Sequence, residues 1–191
     1  MRRIGPAVVA VICLATGCIG SVDRSDFEAE VNARGGGFDQ ALVIESVDAV
    51  AGELGTSDFE ITLMVVTSRS GTVSMIVRDP GNPANLDTFS LTNGSISSVE
   101  PVRLSAADDI DVASLPIAGL ALDRLDAMSQ IALSEYDVAG DYITGVSVDV
   151  VPSGQPDTPG QLRILFSLES PRSSATAEFT AAGELVEVRV Q

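Results

Sequence analysis

The sequence predicts an α+β fold: two tandem helix-plus-antiparallel-meander repeats, with the helices packed on one face of an antiparallel sheet. Three observations carry this. Apolar residues recur at helical spacing in two separate stretches, 38–55 and 115–136. After each, the pattern changes to short alternating runs bounded by Gly, Pro, Asn and Ser. The two halves, about 38–102 and 120–191, also share landmarks in the same order.

Taken in chain order, "SDFEAEVNARGGG" begins with a capping box. Ser25 caps, Glu28 follows three residues on, and Phe27 and Val31 share one face of a short helix. The glycines at 35–37 read as that helix's C-cap and turn rather than as a ligand loop. "FDQALVIESVDAVAGELG" is the first long helix, with Val43, Val47, Val50, Ala51 and Leu54 as its buried stripe and Gly55 just past its end. "DFEITLMVVTS" and "GTVSMIVRDP" are strands joined near "SRSG", and "LDTFSLTNGSISSVEPVRL" is a hairpin turning at Asn93-Gly94.

After the polar loop "SAADDIDVAS", "LPIAGLALDRLDAMSQIALSEY" reads as the second long helix. Pro116 sits in its first turn, and Leu122, Leu125, Met128, Ala132 and Tyr136 form its stripe. "DYITGVSVDVV", "QLRILFSLESP" and "SATAEFTAAGELVEVRV" follow as strands, with "PSGQPDTPG" as a turn-rich loop between the first two. Ile61, Leu63, Val65, Val146, Val148 and Val150 are the strand residues expected to meet the helices.

Several landmarks recur. Asp58-Phe59 answers Asp141-Tyr142, and Pro80 answers Pro171. Phe89, Gly94, Ile96 and Val99 answer Phe179, Gly183, Leu185 and Val188. One helix with one hairpin cannot bury both apolar faces, whereas two copies joined edge to edge can. The shape is similar to the tandem helix-plus-meander folds of small exported bacterial inhibitor and envelope proteins, a likeness that carries no function.

Composition limits the chemistry. The chain has 191 residues, 45% of them hydrophobic, which is enough for a sizeable core. It has no histidine and no tryptophan, and all eleven basic residues are arginine. The formal net charge of −16 repels a phosphate backbone, so no nucleic-acid partner is expected. Aromatics at 4% leave few rings for stacking sugars. With no histidine, lysine or G-x-S-x-G elbow, nucleophilic catalysis lacks its parts, and the chain is not expected to be an enzyme or to need a cofactor. Asp108, Asp109 and Asp111 read as solvated loop charge. "RDPGNPANLD" offers Asp79, Asn82, Asn85 and Asp87 as oxygen donors for calcium, but the spacing is not that of an EF-hand, and these residues also crowd turns for conformational reasons.

The opening stretch places the protein. Arg2 and Arg3 precede an apolar run at 4–14 that is too short to span a bilayer, and small residues follow. By its mechanics, 1–17 is a signal peptide. The arginine-only, Ala/Val/Asp-rich composition looks like that of a high-GC bacterial genome, and "LATGC" resembles the lipobox of bacterial lipoproteins of an actinobacterial type. Gly17 and Thr16 suit the two positions before the cysteine. The departure is Ala15, where the family usually has Leu, with Leu14 one residue further back. The resemblance covers about the first tenth of the chain. It implies that Cys18 becomes the first mature residue and carries acyl chains such as palmitate. Residues 18–24 are then a short tether of ~20 Å at most, and 25–191 form one α+β domain. Cleavage there leaves nine arginines against 27 acids. A Cys13–Cys18 disulfide fails because Cys13 lies inside the leader. A metal site fails because no histidine or third cysteine completes it.

The expected role is that of a cell-envelope lipoprotein, lipid-anchored through Cys18 on the extracytoplasmic side of the membrane. There it would act as a non-catalytic module binding another envelope protein. The alternative is a carrier holding a lipid or other apolar ligand between helices and sheet.

Overall fold

The computed structural model describes residues 38–105, 110–151 and 160–191. The leader, Cys18, the tether, the Ser25 helix, the glycines at 35–37, Asp108, Asp109 and all but the last residue of the 152–160 loop lie outside the described residues.

Helix α1 (Gln40–Leu54) starts at Asp39, whose carboxylate accepts a hydrogen bond from the Ala41 N–H at 2.9 Å. It stops at Gly55, where φ of 69° suits a residue without Cβ. Strands β1 (Glu60–Thr67), β2 (Thr72–Arg78), β3 (Leu86–Thr92) and β4 (Ser95–Pro101) then run as an antiparallel meander. The β3–β4 turn is the expected Asn93-Gly94, with φ of 48° and 74°. A two-residue hairpin of this twist needs both central residues in the left-handed region.

A one-turn helix α2 (Ile110–Ala113) and a two-residue strand β5 (Leu115–Pro116) lead to helix α3 (Leu125–Tyr136). A second antiparallel meander follows: β6 (Tyr142–Val151), β7 (Gln161–Glu169), β8 (Ser174–Thr180) and β9 (Leu185–Val190). Among the described residues the strands form one nine-stranded sheet, ordered β4-β3-β2-β1-β6-β7-β8-β9, with β5 beside the start of β1. The first strand of each half therefore lies at the centre, and the last strand of each half is an edge. Among the described residues the fold is an α+β layer of one antiparallel sheet and two long helices.

Both helices pack on the same face. Val43 and Val50 of α1 and Leu125, Met128 and Ala132 of α3 are fully buried in one core with Met64, Met75, Ile164, Phe166 and Phe179. Phe166 anchors this core, with Phe179 edge-on at 5.5 Å and Phe38, just before α1, edge-on at 5.6 Å. The Gln40 side chain accepts a hydrogen bond from the Asp126 N–H at 2.9 Å, so α1 satisfies a free donor at the start of α3.

The structure departs from the sequence reading in three places. The second helix begins at Leu125, ten residues after the expected start at Leu115. Leu115 and Pro116 pair with Ile61 and Glu60, Ile117 N–H bonds to Phe59 O, and Ala121 N–H bonds to Ala181 O. These tertiary bonds take the backbone groups a helix would use internally. The second departure is in β1, where Met64 and Val66 face the core instead of Leu63 and Val65. Thr62 is an extra residue in the β1–β2 register, and such a bulge reverses which residues face inward. The third is in α1, where Ser46 occupies the fully buried position and Val47 is only half-buried.

The two halves match in detail beyond element order. Thr62 is the bulged residue of β1 and Thr144 that of β6. Ser97 is the extra residue of β4 and Val186 that of β9. The buried helix positions Val43, Ser46 and Val50 precede Leu125, Met128 and Ala132 by one constant separation. The left-handed caps Gly55 and Asp137, and the pre-bulge residues Ile61 and Ile143, lie at that same separation. Aligned this way, Phe59 corresponds to Asp141, one residue off the sequence match. Phe89 corresponds to Ala177 and Leu91 to Phe179, two residues off the sequence match.

Candidate interaction surface

The helices leave the opposite face of the sheet open. Its residues follow from strand register. One row across it reads Ser98, Ser90, Ser74, Val65, Ser147, Leu165, Glu178 and Glu187. The next reads Ser95, Thr92, Thr72, Thr67, Gly145, Ser167, Thr176 and Arg189. The first half of the face is thus hydroxyl-rich, and the second half is charged. Val65 stands 37% exposed near the middle.

The charged half is a ladder of ion pairs across four strands. Arg163 on β7 donates to both carboxylate oxygens of Asp149 on β6, at 2.6 and 3.1 Å. Its other terminal nitrogen lies 3.7 Å from Glu178 on β8. Glu178 accepts at 2.7 Å from Arg189 on β9, which also bonds Glu187. The Asp149 bond is the main cause raising the Arg163 pKa, and that from Arg189 holds the Glu187 carboxyl below its usual range. Glu187 therefore keeps its charge, and with it the bond to Arg189, as pH falls into the ordinary carboxylate range. The ladder fixes where positive and negative charge sit on an acidic molecule.

Residues 110–114, just ahead of β5, lie against one end of this face. Asp111 reaches Arg78, which also bonds Glu60 at 3.0 Å, and the Ser114 and Thr62 hydroxyls lie 3.3 Å apart. The Glu60 bond is the first cause raising the Arg78 pKa. Asp111, read from sequence as solvated charge, is 81% exposed, and it also reaches Arg78.

The residues read as weak calcium ligands form an ordinary turn. The Asp79 carboxylate accepts from Gly81 N–H at 2.7 Å, Asn82 N–H bonds Asp79 O, and Asn85 N–H bonds Asn82 O. Asp87 lies beyond the turn in β3, opposite Val77. Among the described residues no three acidic side chains converge as a metal site would need. A cleft of about 270 Å³ beside this turn is bordered by Phe59, Glu60, Arg78, Asp79 and Pro116. A second, of about 540 Å³, lies at the rim between Leu115, Gly119, Leu162 and Ala181. A third, of about 370 Å³, is a groove on the open face around Val65, Ser74 and Ser90. None of the three is lined by α1 or α3.

Comparison with known proteins adds the fold. No family model matches the chain, and no curated protein matches it. A crystal structure of a putative lipoprotein from Clostridium difficile 630 superposes with a TM-score of 0.55 at 10% identity, covering 76% of this chain and 90% of that one. The two proteins share a fold. Among the described residues no helix is long and apolar enough to cross a membrane.

Proposed function

We propose that this chain is a cell-envelope lipoprotein, anchored through acylated Cys18 on the extracytoplasmic side. It acts as a non-catalytic module that binds another envelope protein, and its body arose from two copies of one helix-plus-meander unit. The anchor rests on the charged, short and small-residue pattern of 1–18. Its fold neighbour being a putative lipoprotein is in keeping with it. The duplication is supported by the matched bulges at Thr62 and Thr144 and by the constant spacing of helix, cap and strand positions.

One observation carries the binding role over the carrier role. The helix stripes close directly onto the sheet, with Val43, Val50, Leu125, Met128 and Ala132 at 0% exposure, while the patterned open face is left to solvent. A carrier needs an apolar void on the order of 300–1,000 Å³ with a mouth. Among the described residues, none of the three clefts lies beneath α1 or α3, and this favours the binding role. The test has two arms. A photocrosslinker at Val65 on the open face, in native envelopes, is expected to give a discrete protein adduct that the same probe at Glu53 on the outer side of α1 does not. Organic extraction of chain carrying Cys18→Ser, followed by mass spectrometry, is expected to yield no stoichiometric lipid. Recovering one overturns the binding reading in favour of the carrier.

A further inference from the structure

The two edges of the sheet differ. Strand β4 ends in Glu100-Pro101, and proline has no N–H to offer a neighbouring strand. Strand β9 has neither proline nor lysine, and among the described residues it pairs only with β8. Among the described residues it carries the two most exposed large apolar side chains, Val186 at 55% and Val190 at 64%. Natural sheets seldom leave such an edge bare.

The residue order along β9, Val186-Glu187-Val188-Arg189-Val190, selects an occupant. Gln191 N–H bonds Ser174 O at 2.8 Å. The antiparallel ladder alternates, so Glu187 and Arg189 turn their backbone groups toward β8, and Val188 and Val190 turn theirs toward the free edge. A strand added there must set outward-facing residues opposite one another. For a second β9 running antiparallel, three central registers meet that condition. Centred on position 187, the register sets Glu187 against Glu187. Centred on 189, it sets Arg189 against Arg189. Centred on Val188, it sets the outward-facing Val188 against its own copy and Glu187 against Arg189 twice. The sequence is charge-complementary to its own reversed copy in one register, and opposite charges directly across strands are favourable where like charges are not.

The surroundings fit. Helix α3 packs over β9, and Arg124 at its start donates to Ala182 O in the β8–β9 turn at 2.7 Å. Ile131, two turns further along that flank, is 38% exposed. It would lie over the seam with its counterpart from the second copy. The ion-pair ladder running from Asp149 to Arg189 would continue into Glu187 of that copy.

We propose that two copies of this chain join edge to edge through β9, antiparallel about a two-fold axis at Val188, with Glu187 of each copy paired to Arg189 of the other. This extends the binding role without depending on the anchor or on any other partner. The test uses the full chain with Cys18→Ser in non-ionic detergent, sized by sedimentation velocity. Wild type is expected to be a dimer. Glu187→Arg and Arg189→Glu, each alone, place like charges across the seam and are expected to weaken association by about tenfold or more. Mixed in equal amounts, the two variants oppose only unlike charges and are expected to recover the dimer. Thermal melts monitor folding. Glu187→Arg leaves the Arg189–Glu178 bond in place, so its result decides alone should Arg189→Glu melt early. A monomeric wild type, a dimer indifferent to Glu187→Arg, or a mixture of two folded variants that stays monomeric overturns the proposal. If any of these occurs, the Val65 crosslinking test of the binding role still stands on its own.

Discussion

Ser46 shows how one residue can run against its surroundings. It is fully buried in α1, where the second half has Met128, and its hydroxyl has no hydrogen-bond partner. A buried hydroxyl without a partner loses its water and gains nothing in return, at a cost of about 1–3 kcal/mol. Ser46→Ala removes that cost, leaves almost the same volume and improves helix propensity. It is expected to stabilise the fold by about 1 kcal/mol, read as a raised urea midpoint with unchanged slope. A loss of stability would mean that the hydroxyl is bonded in solution. Sequence periodicity put Val47 in this place because an apolar residue is the default for a buried position. A polar residue there breaks the rule that the reading depends on.

At the scale of elements, most of the meander was legible because strands of this kind carry their own punctuation. Asn93-Gly94, Gly55, Pro80 and Pro171 stand at turns and caps where their backbone preferences are needed. Elements set by long-range bonds were not legible. β5 exists because Ile61 and Phe59 supply partners, and the facing of β1 depends on a one-residue bulge that leaves no mark in composition. At the centre of the sheet, Gly145 of β6 lies opposite Thr67, and a Cβ built on it would sit 2.7 Å from the Val66 carbonyl oxygen. That contact is with backbone and cannot swing away. Gly145→Ala is expected to cost about 1–3 kcal/mol in denaturant unfolding, by prising apart the junction between the two halves. An unchanged midpoint would show that β1 and β6 are not packed this closely.

For the whole molecule, the α+β class and the helices-on-one-face arrangement followed from two changes of hydrophobic period along the chain. The open face did not. Its hydroxyl rows and ion ladder are residues that sequence reading treats as generic surface, and they become a pattern only when eight strands bring them into register. The complementarity of β9 with itself was present in "VEVRV" but has no meaning until the strand is known to be an edge. Among the described residues the body presents a patterned face, an edge strand paired on one side and a core buried beneath both helices, and the proposal that unites these is an anchored module which holds other proteins at the membrane surface. The anchored part of that proposal depends on where the mature chain begins. Mass spectrometry of the N-terminal peptide, taken from the membrane fraction of the native host, tests this most directly. The account predicts a chain starting at Cys18 with acyl chains attached, and release or lack of processing in Cys18→Ser. A mature N-terminus elsewhere, or an unmodified Cys18 in soluble protein, would contradict it.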